Sequence, residues 1–332
     1  MKALVYEKAH TLDAWSTELR DVAEPTPGES DVLVEVLAVG INPGETFFRK
    51  TRSAEAGGRV LLGWEFAGEV VAVGRAVSRF EVGDRVFGTG DVRRDGAWAQ
   101  RVAVDHRVVA KIPDALSFAA AASLPIGAIT AWEAMFRDAD TLPVDINRVL
   151  VIGGAGAVGT LAVQLLKAKT DALVIATASR PESRAWCENM GADLVVDHAA
   201  DVVAQLKTAG VPSVDMVLST ANSPANLPWI AGLLRPFGHI AVVDGAPTLD
   251  ASVLVPKAAS LHTEMIFSRL LNDCAPEKHA AILDKVLALF VEGRLRPIAT
   301  KQLEGLTAET MRAAHELVES RSTIGKIVIS TS

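Results

Sequence analysis

The stretch Val149-Leu-Val-Ile-Gly153-Gly154-Ala155-Gly156-Ala157-Val158-Gly159 decides how the rest of this chain is read. Its first four residues are an apolar, largely β-branched run of strand length, and a helix-like run over residues 158–169 follows. Gly154-x-Gly156-x-x-Gly159 therefore joins a strand to a helix, which is the context that a dinucleotide fingerprint needs. In such a turn Gly154 permits the tight bend, Gly156 lets the backbone approach a pyrophosphate, and Gly159 allows helix and strand to pack closely. The free N–H groups at the helix start, around Ala155, Ala157 and Val158, then face the phosphate charge. The uncharged run from Val149 to Leu166 is also long enough to resemble a membrane span. The glycines in its middle favour strand–turn–helix instead.

Outward from this stretch, the sequence changes texture twice. From Asn147 onward strands and helices alternate: strands over 149–152, 173–177, 194–196, 216–219 and 239–243, and helices over 158–169 and 182–190. Further helices precede the last two strands. That alternation predicts a doubly wound parallel sheet with helices on both faces. The first third is β-rich instead. Short apolar runs over 2–6, 31–39, 69–73, 85–87 and 99–104 are separated by Gly and Pro, the pattern of a small barrel-like domain. Ser117 looks like the cap of a helix, and another helix is expected over 126–136. The chain closes with helices over 278–292 and 308–320 and a strand over 326–330. The expected organisation is a β domain built from 1–121 and 268–332, interrupted by an α/β nucleotide-binding domain over 122–267.

Composition narrows the function. The 332 residues carry a net charge of −7, which argues against nucleic acid as a partner, since that binding requires clustered cations. Two cysteines, Cys187 and Cys274, cannot form a disulfide framework or a four-thiolate zinc site, and both read as packing residues. The single tyrosine, Tyr6, has His10 where a Tyr-x-x-x-Lys catalytic pair would need its lysine. The first residues hold no sustained apolar core of signal-peptide type, so a cytoplasmic location without a membrane partner is expected.

The second strand of the α/β region bears on the choice of dinucleotide. NAD sites usually place Asp or Glu at its end, about 20 residues past the glycines, against the ribose 2′-hydroxyl. Here that strand runs out as Ala176-Thr177-Ala178-Ser179-Arg180, with no carboxylate. Arg180 offers a guanidinium fork and Ser179 a hydroxyl for a 2′-phosphate, which points to NADPH. The alternative reading makes Arg180 a solvated loop charge.

Further segments carry a family resemblance. They include Gly40-Ile-Asn42-Pro43, Leu62-Gly-Trp64-Glu65-Phe-Ala-Gly68, Gly83-Asp84-Arg-Val86, Gly90-Asp-Val-Arg and Leu124-Pro125 with Thr130-Ala-Trp132. The glycine fingerprint, Ser179-Arg180-Pro-Glu-Ser183, Ser260-Leu-His-Thr-Glu and Gly325-Lys326-Ile-Val complete the set. With these the chain resembles the medium-chain dehydrogenase/reductase superfamily over nearly its whole length. Within it, the resemblance is to the zinc-free quinone oxidoreductase branch and to a bacterial group labelled zinc-type alcohol dehydrogenase-like. The resemblance implies a GroES-like catalytic domain made from both chain ends around a central Rossmann domain.

Zinc-dependent members of that superfamily ligate their metal with a Cys, the His of Gly-His-Glu, and a third Cys or acid. Asn42 matches the first position and Trp64 the second. The third falls within residues 124–127, which hold no thiol, imidazole or carboxylate. Zinc takes thiolate, imidazole or carboxylate, so no metal site is expected. Without a metal to polarise an alcohol or aldehyde, the favoured acceptors are quinones and α,β-unsaturated carbonyls, whose added charge delocalises onto oxygen. The resemblance implies the same small-molecule substrates, reduced by NADPH. An NADP-dependent alcohol or aldehyde oxidoreductase and a non-enzymatic NADPH-binding sensor are the alternatives.

Residue by residue, the resemblance implies that Asn42 lies beside the nicotinamide, its amide bonding the acceptor carbonyl or a water. Bonding of its own turn before Pro43 is the other reading. Thr130 matches a threonine near the nicotinamide ribose or carboxamide, or else packs a helix. Trp64 fills the vacated metal site as a pocket wall, or is plain core. Phe267 matches a residue whose backbone meets the carboxamide. His198 falls where quinone reductases often carry a tyrosine against the adenosine phosphate, and Glu45 where many relatives have Asp. Ser260–Phe267 is expected to extend the Rossmann sheet as an edge strand. In relatives that strand pairs with its twin, which implies a homodimer.

Overall fold

The computed structural model describes residues 1–245 and 248–331. Its contacts group into two units, Met1–Ile126 with Phe267–Ala288 and Pro297–Ser332, and Gly127–Ile266 with Leu289–Arg296. The expected boundaries differ slightly from this grouping, for local reasons. The Ile126 N–H bonds Glu65 at 2.8 Å and the Phe267 ring packs on Trp64, which ties both to the first unit. The Gln164 side chain brackets the Arg296 backbone, accepting its N–H at 2.8 Å and donating to its carbonyl at 3.2 Å, which ties 289–296 to the second.

In chain order the first unit begins with β1 (Lys2–Val5), β2 (Glu18–Asp21), β3 (Asp31–Ile41), α1 (Pro43–Thr51), β4 (Glu65–Val73) and β5 (Arg85–Thr89). It continues through β6 (Arg101–Asp105), β7 (Val109–Lys111), α2 (Phe118–Ala121) and the start of α3 (Pro125–Phe136). The second unit follows with β8 (Arg148–Ile152), α4 (Ala157–Lys169), β9 (Leu173–Thr177), α5 (Pro181–Asn189) and β10 (Leu194–Val196). Then come α6 (Val202–Thr208), β11 (Val214–Ser219), α7 (Ser223–Leu233), β12 (Leu234–Val242) and β13 (Ser260–Thr263). The chain ends with α8 (Ser268–Leu271), α9 (Glu277–Val291), β14 (Ala299–Glu304), α10 (Ala308–Glu319) and β15 (Lys326–Ser330).

The main sheet of the first unit runs β14-β15-β3-β4-β5-β7, with β6 also on β3. The closing strand β15 lies antiparallel to β3, pairing Ile327 with Ile41 and Ser330 with Ala38, so both ends of the chain build one sheet as expected. Its core is apolar and aromatic, with Leu4, Phe66 and Trp98 fully buried. Three strands in this unit, β2, β7 and β14, escaped the sequence reading. Every residue of β2 is exposed, and β14 buries none, so neither carries the alternation that marks a half-buried strand. They exist because β1 and β15 offer them a partner.

The second unit is a parallel sheet ordered β10-β9-β8-β11-β12-β13. Chain order therefore reverses between β8 and β11, the switch point at which doubly wound sheets bind ligands. The span-like run from Val149 to Leu166 divides into β8, the glycine turn and α4, as expected. Residues 159–166 of α4 are buried all round, which explains why it shows no polar face. Among the described residues, Phe118–Phe136 has the length and hydropathy of a span, and 78% of that window is buried inside the protein. Gly127 in it is needed, because a Cβ there would meet Leu161 Cδ1 of α4 at 2.7 Å.

Candidate active site

In the second unit, the fingerprint loop sits beyond the end of β8, next to the switch point. The sequence reading gave the tight bend to Gly154, but the left-handed residue is Gly153, with φ of +75°. A Cβ at Gly153 would also lie 2.5 Å from Thr220 Oγ1. Gly154 is required for packing instead: its Cβ would fall 2.7 Å from Ala176 Cβ and 3.1 Å from Cys187 Sγ. Gly159 keeps its assigned role, since a Cβ there would come 2.2 Å from Gly153 O. At Gly156, the N-cap of α4, a Cβ would meet nothing nearer than 3.6 Å, so the loop is open on the side where a phosphate would approach. The first-turn N–H groups of α4, at Ala157, Val158 and Gly159, have no intrahelical acceptor.

Thr177, at the end of β9, links this loop to His198. Its Oγ1 accepts the Gly153 N–H at 3.0 Å and lies 3.2 Å from His198 Nδ1. His198 is exposed beside the loop, where its ring is available to an adenosine phosphate. Ala178 is buried and donates its N–H to Val196 O at 3.0 Å. Half-buried Ser179 and Arg180 follow, and Arg180 is the N-cap of α5. Ser183 pins that cap: its Oγ accepts the Arg180 N–H at 3.2 Å and donates to the Arg180 carbonyl at 2.9 Å. Thr130 is buried on α3 in the same unit.

Of the two cysteines, Cys187 is a packing residue, buried behind Gly154, with burial pushing its thiol up to about 12. Cys274 is exposed and contradicts the packing expectation, because it lies in a surface turn flanked by left-handed Asp273 and Ala275.

In the first unit, Asn42 is the N-cap of α1 and stands at the centre of a buried polar network. Its Nδ2 donates to Glu65 Oε2 at 3.0 Å and to Gly40 O at 3.4 Å, and its Oδ1 accepts from Lys326 Nζ. Lys326 also forms an ion pair with Glu65 Oε2, while Glu65 Oε1 accepts the Ile126 N–H at 2.8 Å. Glu65 and Lys326 are 0% and 2% exposed, so the pair is fully desolvated and depends on these bonds. Both ends of the Asn42 amide are engaged inside the protein, a use that the sequence reading did not include. Glu65 and Lys326 were missed as site residues although both lie in quoted segments. Their signal was a charge inside an otherwise apolar run, Trp-Glu-Phe-Ala in one case and Lys-Ile-Val-Ile in the other.

Glu45 organises the same region from below. One carboxylate oxygen accepts the Asn42 N–H at 2.7 Å and the other the Trp64 N–H at 3.0 Å. Burial pushes its carboxyl up to about 7, against the opposing pull of those two N–H groups and the Lys326 charge. Trp64 is buried, with its ring edge-on to Phe48 at 5.0 Å and to Phe267 at 5.6 Å. Among the described residues its indole N–H has no hydrogen-bond partner. The structure thus brings Asn42, Trp64 and Phe267 together in one unit. Thr130, the glycine loop, Ser179, Arg180 and His198 belong to the other.

Known proteins resemble both units. Residues 28–114 match the alcohol dehydrogenase GroES-like domain family, and residues 157–278 match the zinc-binding dehydrogenase family. A zinc-type alcohol dehydrogenase-like protein of Staphylococcus aureus (strain MSSA476) is 35% identical over 341 aligned positions, covering 99% of this chain and 100% of the relative. A quinone oxidoreductase of Lama guanicoe is 31% identical, covering 93% of this chain and 91% of that one. The crystal structure of a candidate zinc-dependent alcohol dehydrogenase from Rhizobium etli CFN 42 superposes with a TM-score of 0.95 at 36% identity, covering 100% of this chain and 98% of that one. Fold and relatives together define an oxidoreductase with a nucleotide-binding domain. The chain belongs to the medium-chain dehydrogenase/reductase superfamily.

Proposed function

We propose that this protein is a cytosolic, zinc-independent, NADPH-dependent reductase of quinones or α,β-unsaturated carbonyls. The observation that carries the reading is the Asn42–Glu65–Lys326 network. Where zinc-dependent relatives place their first two ligands, this chain has an amide and an indole. The neighbouring carboxylate is already bonded to an ammonium group. Such a donor set does not fit zinc, which takes thiolate, imidazole or carboxylate, so no step is assigned to a metal. Acceptors that take hydride without strong Lewis-acid help suit the site best, and the likeness to a quinone oxidoreductase agrees.

The loop around Gly156 and the start of α4 fit a pyrophosphate, because the approach is open and the helix N-terminus favours negative charge. Ser179 and Arg180 fit a 2′-phosphate at the end of β9. When bound, the nicotinamide supplies a hydride. The chain's own residues position and exclude: Glu45 fixes the backbones of Asn42 and Trp64, Glu65 and Lys326 fix the Asn42 amide, and Trp64 walls the pocket in apolar surface. Orientation in a dry pocket is the main contribution asked of the protein.

A second reading, an NADP-dependent alcohol or aldehyde oxidoreductase, is favoured by the name of the staphylococcal relative. Steady-state assays following NADPH absorbance separate the two. Turnover of a small quinone and an enone, retained after dialysis against a chelator, is expected. Alcohol oxidation with neither acceptor reduced, or one tightly held zinc per chain by elemental analysis, would replace the proposal with the second reading. NADPH binding with no acceptor reduced at all would leave a non-enzymatic sensor.

A further inference from the structure

Arg52, just past the end of α1, is a cation with no anion. Its guanidinium lies over the Phe48 ring at 4.4 Å from the centroid and 5.9 Å from that of Trp64. Its Nη1 donates to the Val92 carbonyl at 2.9 Å. Among the described residues no carboxylate pairs with it. The cations around it are paired: Arg49 and Lys50, just before it in sequence, with Glu319, and Arg93 and Arg94, just after Val92, with Asp91 and Asp31. The guanidinium of Arg52 is half-buried. Stacking on Phe48 and the bond to Val92 hold it in place while leaving most of its N–H donors unused.

The surroundings say what it would meet. Phe48, Trp64 and Phe267 form a continuous aromatic cluster beside it. The buried Trp64 indole N–H is a second donor in that cluster, without an acceptor among the described residues. Phe48 and Phe267 are partly exposed and offer apolar surface that suits a planar conjugated ligand, and an anionic oxygen suits the guanidinium fork.

We infer that Arg52 selects the substrate: the acceptor is a planar conjugated carbonyl compound bearing a carboxylate or similar anion, which Arg52 binds beside the aromatic cluster of Phe48, Trp64 and Phe267. This rests on the reductase reading proposed above and adds the charge of the substrate to it.

The test uses a matched pair, a naphthoquinone carrying a propanoate side chain and its methyl ester. The wild-type protein should show a lower KM for the acid, and Arg52→Ala should lower the acid-to-ester ratio of kcat/KM about ten- to hundredfold, the range for a lost charge-assisted bond. The change should fall on KM, and Arg52→Lys should restore part of the ratio. An unchanged ratio in Arg52→Ala would overturn the inference. If neither compound is turned over, the reductase reading fails separately, and binding is read by quenching of tryptophan fluorescence. Tighter binding of the acid that Arg52→Ala abolishes would sustain the anion site. Equal binding of acid and ester would remove it.

Discussion

The ammonium of Lys326 donates to the amide oxygen of Asn42, although 284 positions separate the two residues in the chain. The same ammonium neutralises Glu65, so one cation from the end of the chain holds together two side chains from its first third. Removing it leaves a buried carboxylate without a charge partner. Lys326→Met is therefore expected to cost about 3–5 kcal/mol of stability, read from urea unfolding. Adding Glu65→Gln should recover part of the loss, because it removes the stranded charge. A single variant within about 1 kcal/mol of wild type would show that the network does not hold this region.

Cofactor choice rests on Arg180. A charge-assisted bond to a 2′-phosphate contributes about 1.5–3 kcal/mol, so Arg180→Ala should weaken NADPH about ten- to hundredfold. NADH, which lacks that phosphate, should be affected little. Fluorescence titration with both cofactors checks this, and an equal loss for the two would refute the assignment.

Acid sensitivity should trace in part to His315. It is fully buried, with its ring edge-on to Trp15 at 5.5 Å and Trp98 at 5.2 Å, and neither ring nitrogen has a partner among the described residues. Burial, reinforced by the Arg49 charge, pushes its pKa from 6.5 down to about 3. The unfolded chain therefore binds this proton first, and stability falls as pH drops from 6.5 toward 3. At pH 5 the loss from this one group is about 2 kcal/mol. His315→Phe should narrow the gap in unfolding free energy between pH 8 and pH 5 by that amount. An unchanged gap would mean that the ring is not kept neutral.

The edge strand β13 predicts an assembly. Among the described residues it pairs only with β12, and Met265 just beyond it is half exposed. A twin strand paired across a two-fold axis would cover the open N–H and C=O groups and bury Leu261 or Met265. Light scattering at micromolar concentration should return about twice the chain mass of 35.1 kDa. A monomer mass that does not change on concentration would reject the dimer.

The parallel sheet was readable because its central strands β8, β9 and β11 are buried on both faces and appear as apolar runs, as in Val-Leu-Val-Ile before the glycines. The nucleotide loop was readable because three glycines at fixed spacing have few other uses. What the spacing could not say was which glycine turns the chain. Gly153 and Gly154 are adjacent, and what separates their roles is the left-handed backbone of Gly153 and the packing of Ala176 and Cys187 against Gly154. The strands β2 and β14 were hidden because exposed polar residues extend only when a neighbour supplies hydrogen bonds. The Asn42 network was hidden for a related reason. A motif specifies neighbours in sequence, whereas the partners of Asn42 come from three separate strands and loops.

The pairing of β15 with β3 also sets the order in which this molecule is made. On β3, β6 covers residues 31–35, while residues 38–41 wait for β15. Every strand of the second unit leaves the ribosome before β15 does, so that sheet can assemble while the first one is still open. Until synthesis ends, the stretch of β3 that leads into Asn42 presents an unsatisfied edge. Chains interrupted before Lys326 keep that edge exposed and are the ones most prone to aggregate. The environment that fixes Asn42 is thus among the last features the nascent protein acquires.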